Sequence, residues 1–166
     1  MRRARALSRR LGEALARRGY ALAVAESCTG GLLGGAVTSV PGSSGWVLGG
    51  VVAYSDASKI RDLGVPARTI AERGAVSGEV ALAMATGVLR RFGADAAIGI
   101  TGIAGPSGGG PGKPVGTVWI AVVLPGVRNA DRHLFPGDRE AVRAASVEAA
   151  LERLLAGLGS PRGARG

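Results

Sequence analysis

The sequence predicts an α/β protein, a three-layer α/β/α sandwich with a mixed, mostly parallel sheet. Apolar runs of strand length alternate with segments of helical periodicity over most of the 166 residues. Glycine is abundant, at 29 residues, and aromatic residues make up only 4%, which favours tight turns in an α/β framework over an all-β one. The length fits one domain, predicted over residues 1–158, with a disordered tail at 159–166.

The first half of the chain is predicted to supply two strands. An amphipathic helix at residues 4–18 leads into a strand at 20–25. A turn and a helix of about ten residues from Thr29 follow. After a Pro-Gly-Ser-Ser-Gly loop, the apolar run at 46–53 is predicted to be a buried strand.

The second half is predicted to complete the sheet with three strands and to end in a helix. Ser77 is the expected N-cap of the longest central helix. The last strand is polar and follows a Pro-Gly turn, so it is expected at the sheet edge. In order, the predicted elements are a helical turn ending near Gly64, a short helix or turn at 66–73, a helix at 78–92, strands at 95–100, 115–124 and 128–135, and a helix at 138–157.

The formal net charge of +9 first suggests a nucleic-acid partner. Only two of the 21 basic residues are lysines, and seven arginines lie within the first eighteen positions, which indicates a compositional preference for arginine. No aromatic-rich RNA-binding motif accompanies them, so no specific nucleic-acid partner is expected. No apolar run approaches the roughly 18 residues of a membrane span, and a cytoplasmic protein without membrane attachment is predicted.

Cysteine and histidine occur once each, as Cys28 and His133. This excludes an internal disulfide and a Cys/His zinc site. Cys28 is expected to be a small packing residue. His133 falls in the predicted edge strand, so a Ser-His-Asp triad would depend on that residue alone.

Ser27 is the candidate nucleophile. It follows the first predicted strand, at the carboxyl end of the sheet where α/β proteins bind ligands. A serine just before a helix fits an N-cap as well, and Ala25 and Thr29 stand where the Gly-x-Ser-x-Gly elbow has glycines. The backbone N–H groups of residues 28–31 are candidates for an oxyanion hole or a phosphate cradle.

Lys59 is the candidate base, because a serine hydroxyl needs a proton acceptor before it can attack. It follows the second predicted strand, on the same rim as Ser27, and a desolvated lysine loses proton affinity. An ordinary solvated lysine is the alternative. Tyr54 could donate a hydrogen bond to the hydroxyl or to an oxyanion, or it could simply end the strand.

Phosphate-binding candidates follow the third predicted strand and open the last helix. The glycine-rich loop at 101–114 resembles a phosphate loop, although the Walker A spacing fails, and a surface loop is the alternative. Thr101 and Gly102 come directly off the strand, so they can line the same rim. Arg139 and Arg143 are four residues apart on one helix face, which can hold a phosphate or be solvated.

Seven segments, in order and with their spacing intact, resemble the C-terminal domain of the competence/damage-inducible protein CinA and the stand-alone nicotinamide-nucleotide amidases. They cover nearly the whole predicted domain. The similarity is to the stand-alone form, since 166 residues leave no room for the N-terminal pyrophosphatase-like domain of the larger CinA proteins. The segments are AESCTGG (25–31), VPGSSGWVLGGVVAYS (40–55), SKIRDLGV (58–65), GAVSGEVALAMA (74–85), GITGIAGPSGGG (99–110), KPVGTVWIAV (113–122) and FPGDREAVRAASVEAAL (135–151).

The resemblance implies hydrolysis of the carboxamide of nicotinamide mononucleotide, giving nicotinic acid mononucleotide and ammonia in pyridine nucleotide salvage. It implies no metal or other cofactor, and a homodimer. The implied catalytic residues are Ser27 as nucleophile, Lys59 as base, Tyr54 in support and Thr101 near the reacting amide. The predicted substrate-binding residues are Glu26, Thr29, Gly30, Gly31, Gly102, Arg139 and Arg143, with Arg139 or Arg143 at the phosphate.

The chain departs from the family pattern in one place near the predicted base. It has Asp56-Ala57-Ser58 where the family often reads Asn-Glu-Ala, which alters the polarity expected beside Lys59. Some relatives are thought to lack amidase activity. A non-catalytic nucleotide-binding or regulatory module of the same fold is therefore the rival function.

Overall fold

The computed structural model describes residues 2–159, which form six α-helices and five strands. A short 3₁₀ turn at Ser43–Gly45 precedes the second strand. The helices are α1 (Arg2–Ala16), α2 (Leu32–Thr38), α3 (Asp56–Leu63), α4 (Ala67–Arg73), α5 (Gly78–Phe92) and α6 (Arg139–Gly159); the strands are β1 (Leu22–Glu26), β2 (Val47–Val52), β3 (Ala96–Gly102), β4 (Thr117–Leu124) and β5 (Val127–Leu134).

The five strands form one mixed sheet in the order β2-β1-β3-β4-β5. β1 pairs in parallel with both β2 and β3, whereas β4 runs antiparallel to its two neighbours. From β1 the chain crosses outward to β2 and then returns to β3 on the other side. This reversal of strand order opens a crevice beyond the carboxyl ends of β1 and β3. The predicted mixed α/β sheet is confirmed.

Helices cover both faces of the sheet, and side chains alternate between two cores. Along β1, Leu22 and Val24 point into a core shared with α1, α2 and α6, while Ala23 and Ala25 point towards α5. The α5 side uses small residues because the helix packs close to the sheet. A Cβ on Gly99 of β3 would lie 2.4 Å from the Ala81 carbonyl oxygen of α5.

The strand β2 is less buried than predicted. Its side chains alternate between half-buried and exposed, with Leu48 46% and Val52 52% exposed. β2 lies at the sheet edge, so only β1 flanks it. The neighbouring α2 presents Gly34 and Gly35 towards it, which leaves a shallow groove in place of packed side chains. The prediction of a buried strand was therefore wrong, since apolar composition alone does not reveal an edge.

Helix α2 begins at Leu32, three residues later than predicted. Gly30 and Gly31 have φ angles of 57° and 95°, a left-handed backbone that glycine adopts readily. The chain therefore completes a turn before the helix starts. Ser77 accepts a hydrogen bond from the Val80 N–H, as expected of the N-cap of α5.

The C-terminal boundary is only partly described. Gly159 ends α6, and the remainder of the predicted tail, residues 160–166, lies outside the described residues. Between residues 2 and 159, no helix combines the length and the apolar character needed to cross a membrane. The single-domain boundary at residue 158 stays a prediction.

The contact between α5 and α3 gives a test of the packing that positions the predicted base. A Cβ at Gly87 of α5 would lie 1.9 Å from the Leu63 carbonyl oxygen at the end of α3. We expect Gly87→Ala to lower the free energy of unfolding by about 1–3 kcal/mol, because a close-packed contact has to open. Urea denaturation measures this change.

The matched control is Gly35→Ala in α2, where an added Cβ meets nothing within 4 Å. It should leave stability unchanged or raise it by about 0.5–1 kcal/mol, because alanine favours helix. Equal effects of the two substitutions would contradict the close α3–α5 contact.

Candidate active site

Three strand ends meet at one cavity of about 280 Å³. Ser27 follows β1, Tyr54 and Lys59 follow β2, and Thr101 lies at the end of β3. Arg139, the first residue of α6, completes one wall. With Gly102, which also lines it, the cavity brings together four residues that the sequence predicted as catalytic and two predicted to bind substrate. Their chemical roles stay predictions.

The two neighbouring strands fix the backbone at Ser27. The Ser27 N–H donates to the Ile100 carbonyl of β3 at 3.0 Å, and the Ala53 N–H donates to the Glu26 carbonyl at 2.8 Å. The residue itself is 8% exposed. Ser27 is not the N-cap of α2, because Gly31 holds that position. Ser27 is therefore not used for capping, and it lines the cavity.

Glu26 performs the capping that sequence reasoning assigned to Ser27. Its carboxylate accepts backbone N–H bonds from Gly31 at 3.1 Å, Leu33 at 3.0 Å and Gly34 at 2.8 Å. The residue is 1% exposed and lies outside the cavity lining. These bonds give Glu26 a structural role, and its contact with substrate stays a prediction. A carboxylate at this end also complements the helix dipole.

The predicted oxyanion or phosphate cradle is largely occupied. The Gly31 N–H binds Glu26, and the Gly30 N–H donates to the Ser27 carbonyl at 3.0 Å. Neither glycine lines the cavity, and their substrate contacts stay predictions. Beside Ser27, the residue of this turn that does line the cavity is Cys28.

The arginine pair on α6 divides into two roles. Arg143 donates to the Thr29 carbonyl at 3.0 Å, and neither residue lines the cavity. Arg143 therefore supports the β1–α2 turn, and the substrate contacts of Arg143 and Thr29 stay predictions. Arg139 faces the cavity, where it donates to the Tyr54 hydroxyl at 2.8 Å and to the Gly105 carbonyl at 2.9 Å.

Lys59 is almost fully buried, at 2% exposure. Ser55 caps α3 by a reciprocal pair of hydrogen bonds with Ser58, which places Lys59 in the first turns of the helix. Side chains of a helix lean towards its N-terminus, so the amine reaches back to the cavity. There Nζ donates to the Tyr54 carbonyl at 3.2 Å and lies 3.9 Å from the Asp56 carboxylate.

The surroundings of Lys59 weaken its hold on a proton. Burial lowers the pKa of Lys59 below its usual 10.5, and the nearby negative charge of Asp56 opposes the shift. Removal from water disfavours the charged ammonium form. The neutral amine, which is the form that can accept a proton, is therefore more accessible here than on a solvated lysine. The alternative of an ordinary solvated lysine is excluded by its burial.

The loop after β3 encloses the cavity from the other side. The Thr101 hydroxyl donates to the Ala75 carbonyl at 2.8 Å, which holds the segment before α5 against the site. Gly102 also lines the cavity. Lys113, in the same glycine-rich loop, donates to the Arg73 carbonyl at 2.9 Å and lies outside the lining.

Sequence reasoning missed about half of the cavity lining. Asp56 was singled out in the sequence only as a departure from the family pattern beside Lys59. The loop residues follow a strand end, so their position could have indicated them. Ala75 and Val76 lie in the segment at 74–85 that carries the family resemblance, but no role was assigned to them, because Thr101 brings them to the site through a tertiary contact. The missed lining residues are Asp56, Ala75, Val76, Ile103, Ala104, Gly105, Ser107 and Gly108.

The cysteine and the histidine do not supply the chemistry. Burial raises the pKa of the Cys28 thiol to about 11, so it stays protonated at neutral pH, and the side chain belongs to the core, as expected of a packing residue. His133, in β5, stacks on Phe135, which directly follows that strand, with ring centroids 5.3 Å apart. It does not line the cavity. A Ser-His-Asp triad is therefore excluded.

No group of three or more His, Cys, Asp and Glu side chains is arranged as metal ligands within residues 2–159. The absence of a cofactor stays a prediction.

Comparison with known proteins gives relatives over almost the whole chain. A CinA-like protein from Gemmatimonas aurantiaca is 58% identical over 139 residues, which cover 84% of this chain and 32% of that protein. The nicotinamide-nucleotide amidohydrolase PncC of Pseudomonas putida is 50% identical over 149 residues, which cover 90% of this chain and 93% of that protein. The chain thus spans nearly all of the second relative and about a third of the first.

The fold has close counterparts among solved structures. A competence-damaged protein (CinA) superfamily protein from Klebsiella pneumoniae matches with a TM-score of 0.90 and 42% identity, covering 93% of this chain and 97% of that chain. A family model described as the CinA C-terminal domain matches residues 4–158. Because this match covers almost the whole chain, the chain belongs to the CinA C-terminal domain family.

Proposed function

We propose that this chain is a nicotinamide-nucleotide amidase, which hydrolyses the carboxamide of nicotinamide mononucleotide to nicotinic acid mononucleotide and ammonia. The observation that carries the proposal is a single cavity shared by Ser27 and a buried lysine whose pKa is lowered. The similarity to an amidohydrolase of that name supports the substrate. A strand-end serine paired with a lysine base is suited to acyl transfer.

In the proposed first step, neutral Lys59 accepts the hydroxyl proton while the Ser27 oxygen attacks the carboxamide carbon. The resulting tetrahedral intermediate carries negative charge on the former carbonyl oxygen. The Cys28 N–H is the turn amide assigned to that oxygen, because Cys28 lines the cavity whereas Thr29 does not, and the Gly30 and Gly31 N–H groups are occupied. The Glu26 carboxylate accepts hydrogen bonds from the Leu33 and Gly34 N–H groups, which holds the turn and this amide in place.

In the following steps, protonated Lys59 gives its proton to the amide nitrogen, the C–N bond breaks and ammonia leaves. An ester of nicotinic acid mononucleotide remains on Ser27. Lys59, neutral again, takes a proton from water as the water oxygen attacks the ester carbon. Return of that proton to the serine oxygen releases the acid and restores the site.

Arg139 is the residue proposed to meet the phosphate. Its guanidinium lines the cavity and is held by the Tyr54 hydroxyl and the Gly105 carbonyl. Guanidinium groups bind phosphate through charge-assisted hydrogen bonds. Arg143 is not chosen, because its guanidinium donates to the Thr29 carbonyl and lies outside the cavity lining. The homodimer that the family resemblance implies and the cytoplasmic location predicted from the sequence stay proposals.

The rival function is a nucleotide-binding or regulatory module without turnover. It would use the same Arg139 contact for the phosphate. What favours the amidase is Lys59, because a purely binding site has no need of a buried amine with a lowered pKa.

Replacement of the nucleophile tests the amidase directly. We expect Ser27→Ala to reduce ammonia release from nicotinamide mononucleotide by about three decades or more, since nucleophile and base act as a unit. Calorimetric binding of the nucleotide should persist. The matched control is Ser107→Ala, a second serine of the same cavity, which should stay within about tenfold of the parent protein.

Activity of Ser27→Ala equal to that of the control would contradict the covalent scheme. Nucleotide binding by the parent protein without any ammonia release would instead favour the regulatory module.

The phosphate assignment is tested by Arg139→Met with two substrates. We expect KM for nicotinamide mononucleotide to rise on the order of tenfold to a hundredfold, because one charge-assisted contact is lost. Nicotinamide riboside lacks the phosphate, so its kcat/KM should change little. Initial rates of ammonia release measure both.

Arg132→Met is the control, because Arg132 holds the Gly112 carbonyl of the same loop without lining the cavity. It should affect neither substrate strongly. An equal loss for nucleotide and riboside in Arg139→Met would show that Arg139 supports the loop rather than the phosphate.

A further inference from the structure

Asp56 is a charged residue of the cavity that the reaction scheme leaves unused. It is the first residue of α3 and lines the cavity with a side chain that is 58% exposed. Its Oδ1 lies 3.9 Å from the Lys59 amine, too far for a hydrogen bond. Within residues 2–159, no N–H or O–H group donates a hydrogen bond to this carboxylate. The negative charge therefore faces the cavity with its acceptor capacity free.

The cavity has two poles of opposite charge. Among the residues that line it, Asp56 is the anion, and Arg139 and Lys59 are the cations. When Lys59 is neutral, as the proposed base must be, the pole at Asp56 is uncompensated. Tyr54 connects the poles, since its carbonyl accepts from Lys59 and its hydroxyl accepts from Arg139. The negative pole thus adjoins the reacting amine, and the positive pole lies one tyrosine side chain away.

A ligand that fits this layout carries a positive charge beside its reacting amide and a negative charge further away. Within the proposed function, on which this inference rests, the substrate ring is an N-substituted pyridinium with a full positive charge, and its phosphate is the distant anion. With the carboxamide at Ser27 and Lys59, we expect the ring that bears it to lie on the Asp56 side of the cavity, because Oδ1 of Asp56 is 3.9 Å from the Lys59 amine. Opposite charges in a partly desolvated cleft attract more strongly than they do in water.

We propose that Asp56 is a specificity-determining residue, whose carboxylate stabilises the cationic pyridinium ring and so selects positively charged aromatic carboxamides over neutral ones. It acts by contact with the ring and leaves the bond-making atoms to Ser27 and Lys59. A substrate with the same phosphate and the same carboxamide, but an uncharged ring, loses this contact.

Two structural roles of Asp56 would give different results. An acidic residue in the first turn of α3 favours the helix dipole, which affects stability and treats all ligands alike. The negative charge beside Lys59 also supports its protonated form, which affects the pH profile of turnover equally for every substrate. Only a contact with the ring makes the effect depend on ring charge.

The test compares two ligands that differ in ring charge. Nicotinamide mononucleotide has the pyridinium ring, and its reduced 1,4-dihydro form has an uncharged ring with the same carboxamide and phosphate. Dissociation constants are measured by calorimetry for the parent protein and for Asp56→Asn. Ammonia release from nicotinamide mononucleotide is measured in parallel, so binding and turnover are separated.

We expect Asp56→Asn to weaken binding of nicotinamide mononucleotide on the order of tenfold, and binding of the reduced form by less than about twofold. The control is Glu79→Gln, which removes the same charge from the first turn of α5, outside the cavity. It should change neither dissociation constant.

Equal effects of Asp56→Asn on both ligands, or no effect on either, would overturn the specificity role while leaving the amidase intact. A ring-dependent effect in a protein that releases no ammonia would support the role of Asp56 and overturn the amidase. Failure of the parent protein to bind nicotinamide mononucleotide would overturn both.

Discussion

The burial of one amine is the constraint on which the rest of the site depends. Lys59 is withdrawn from water to 2% exposure, and desolvation lowers its pKa. A buried ammonium is costly unless it is paired, and among residues 2–159 the partners of the amine are the Tyr54 carbonyl and a carboxylate 3.9 Å away. The fold tolerates this cost because the capped start of α3 and its packing on α5 hold the side chain in place.

In the turn after β1, two adjacent residues have different roles: one stabilises the start of a helix and the other is the proposed nucleophile. Glu26 is turned inward, where it satisfies three N–H groups at the start of α2. Ser27, one position later, points to the other side of the strand and reaches the cavity. Because the acid completes the helix start, the hydroxyl is not needed for capping. The carboxylate that the sequence predicted to bind substrate therefore has a structural role at the helix start, and the serine beside it is available for the proposed attack.

The position of the site could be predicted because the ends of strands can be recognised from the sequence. Ser27, Lys59 and Thr101 each follow an apolar run, and parallel strands bring such positions to one rim. What stayed hidden depends on tertiary geometry. β2 was predicted buried because its composition is apolar, but its position at the edge exposes half of its side chains. The division between Arg139 and Arg143 also depends on which way the turn before α2 folds.

The central claim is that Lys59 is neutral enough to act as a base, and its own titration tests it. The sequence has only two lysines, so Lys113→Arg leaves Lys59 as the sole lysine signal in NMR of lysine-labelled protein. Its midpoint is predicted to lie below 10.5, with ammonia release rising through the same pH range as the amine loses its proton. The free energy of unfolding should also rise with pH between that midpoint and 10.5, because the unfolded chain binds this proton more tightly. A midpoint at or above 10.5 would contradict the account.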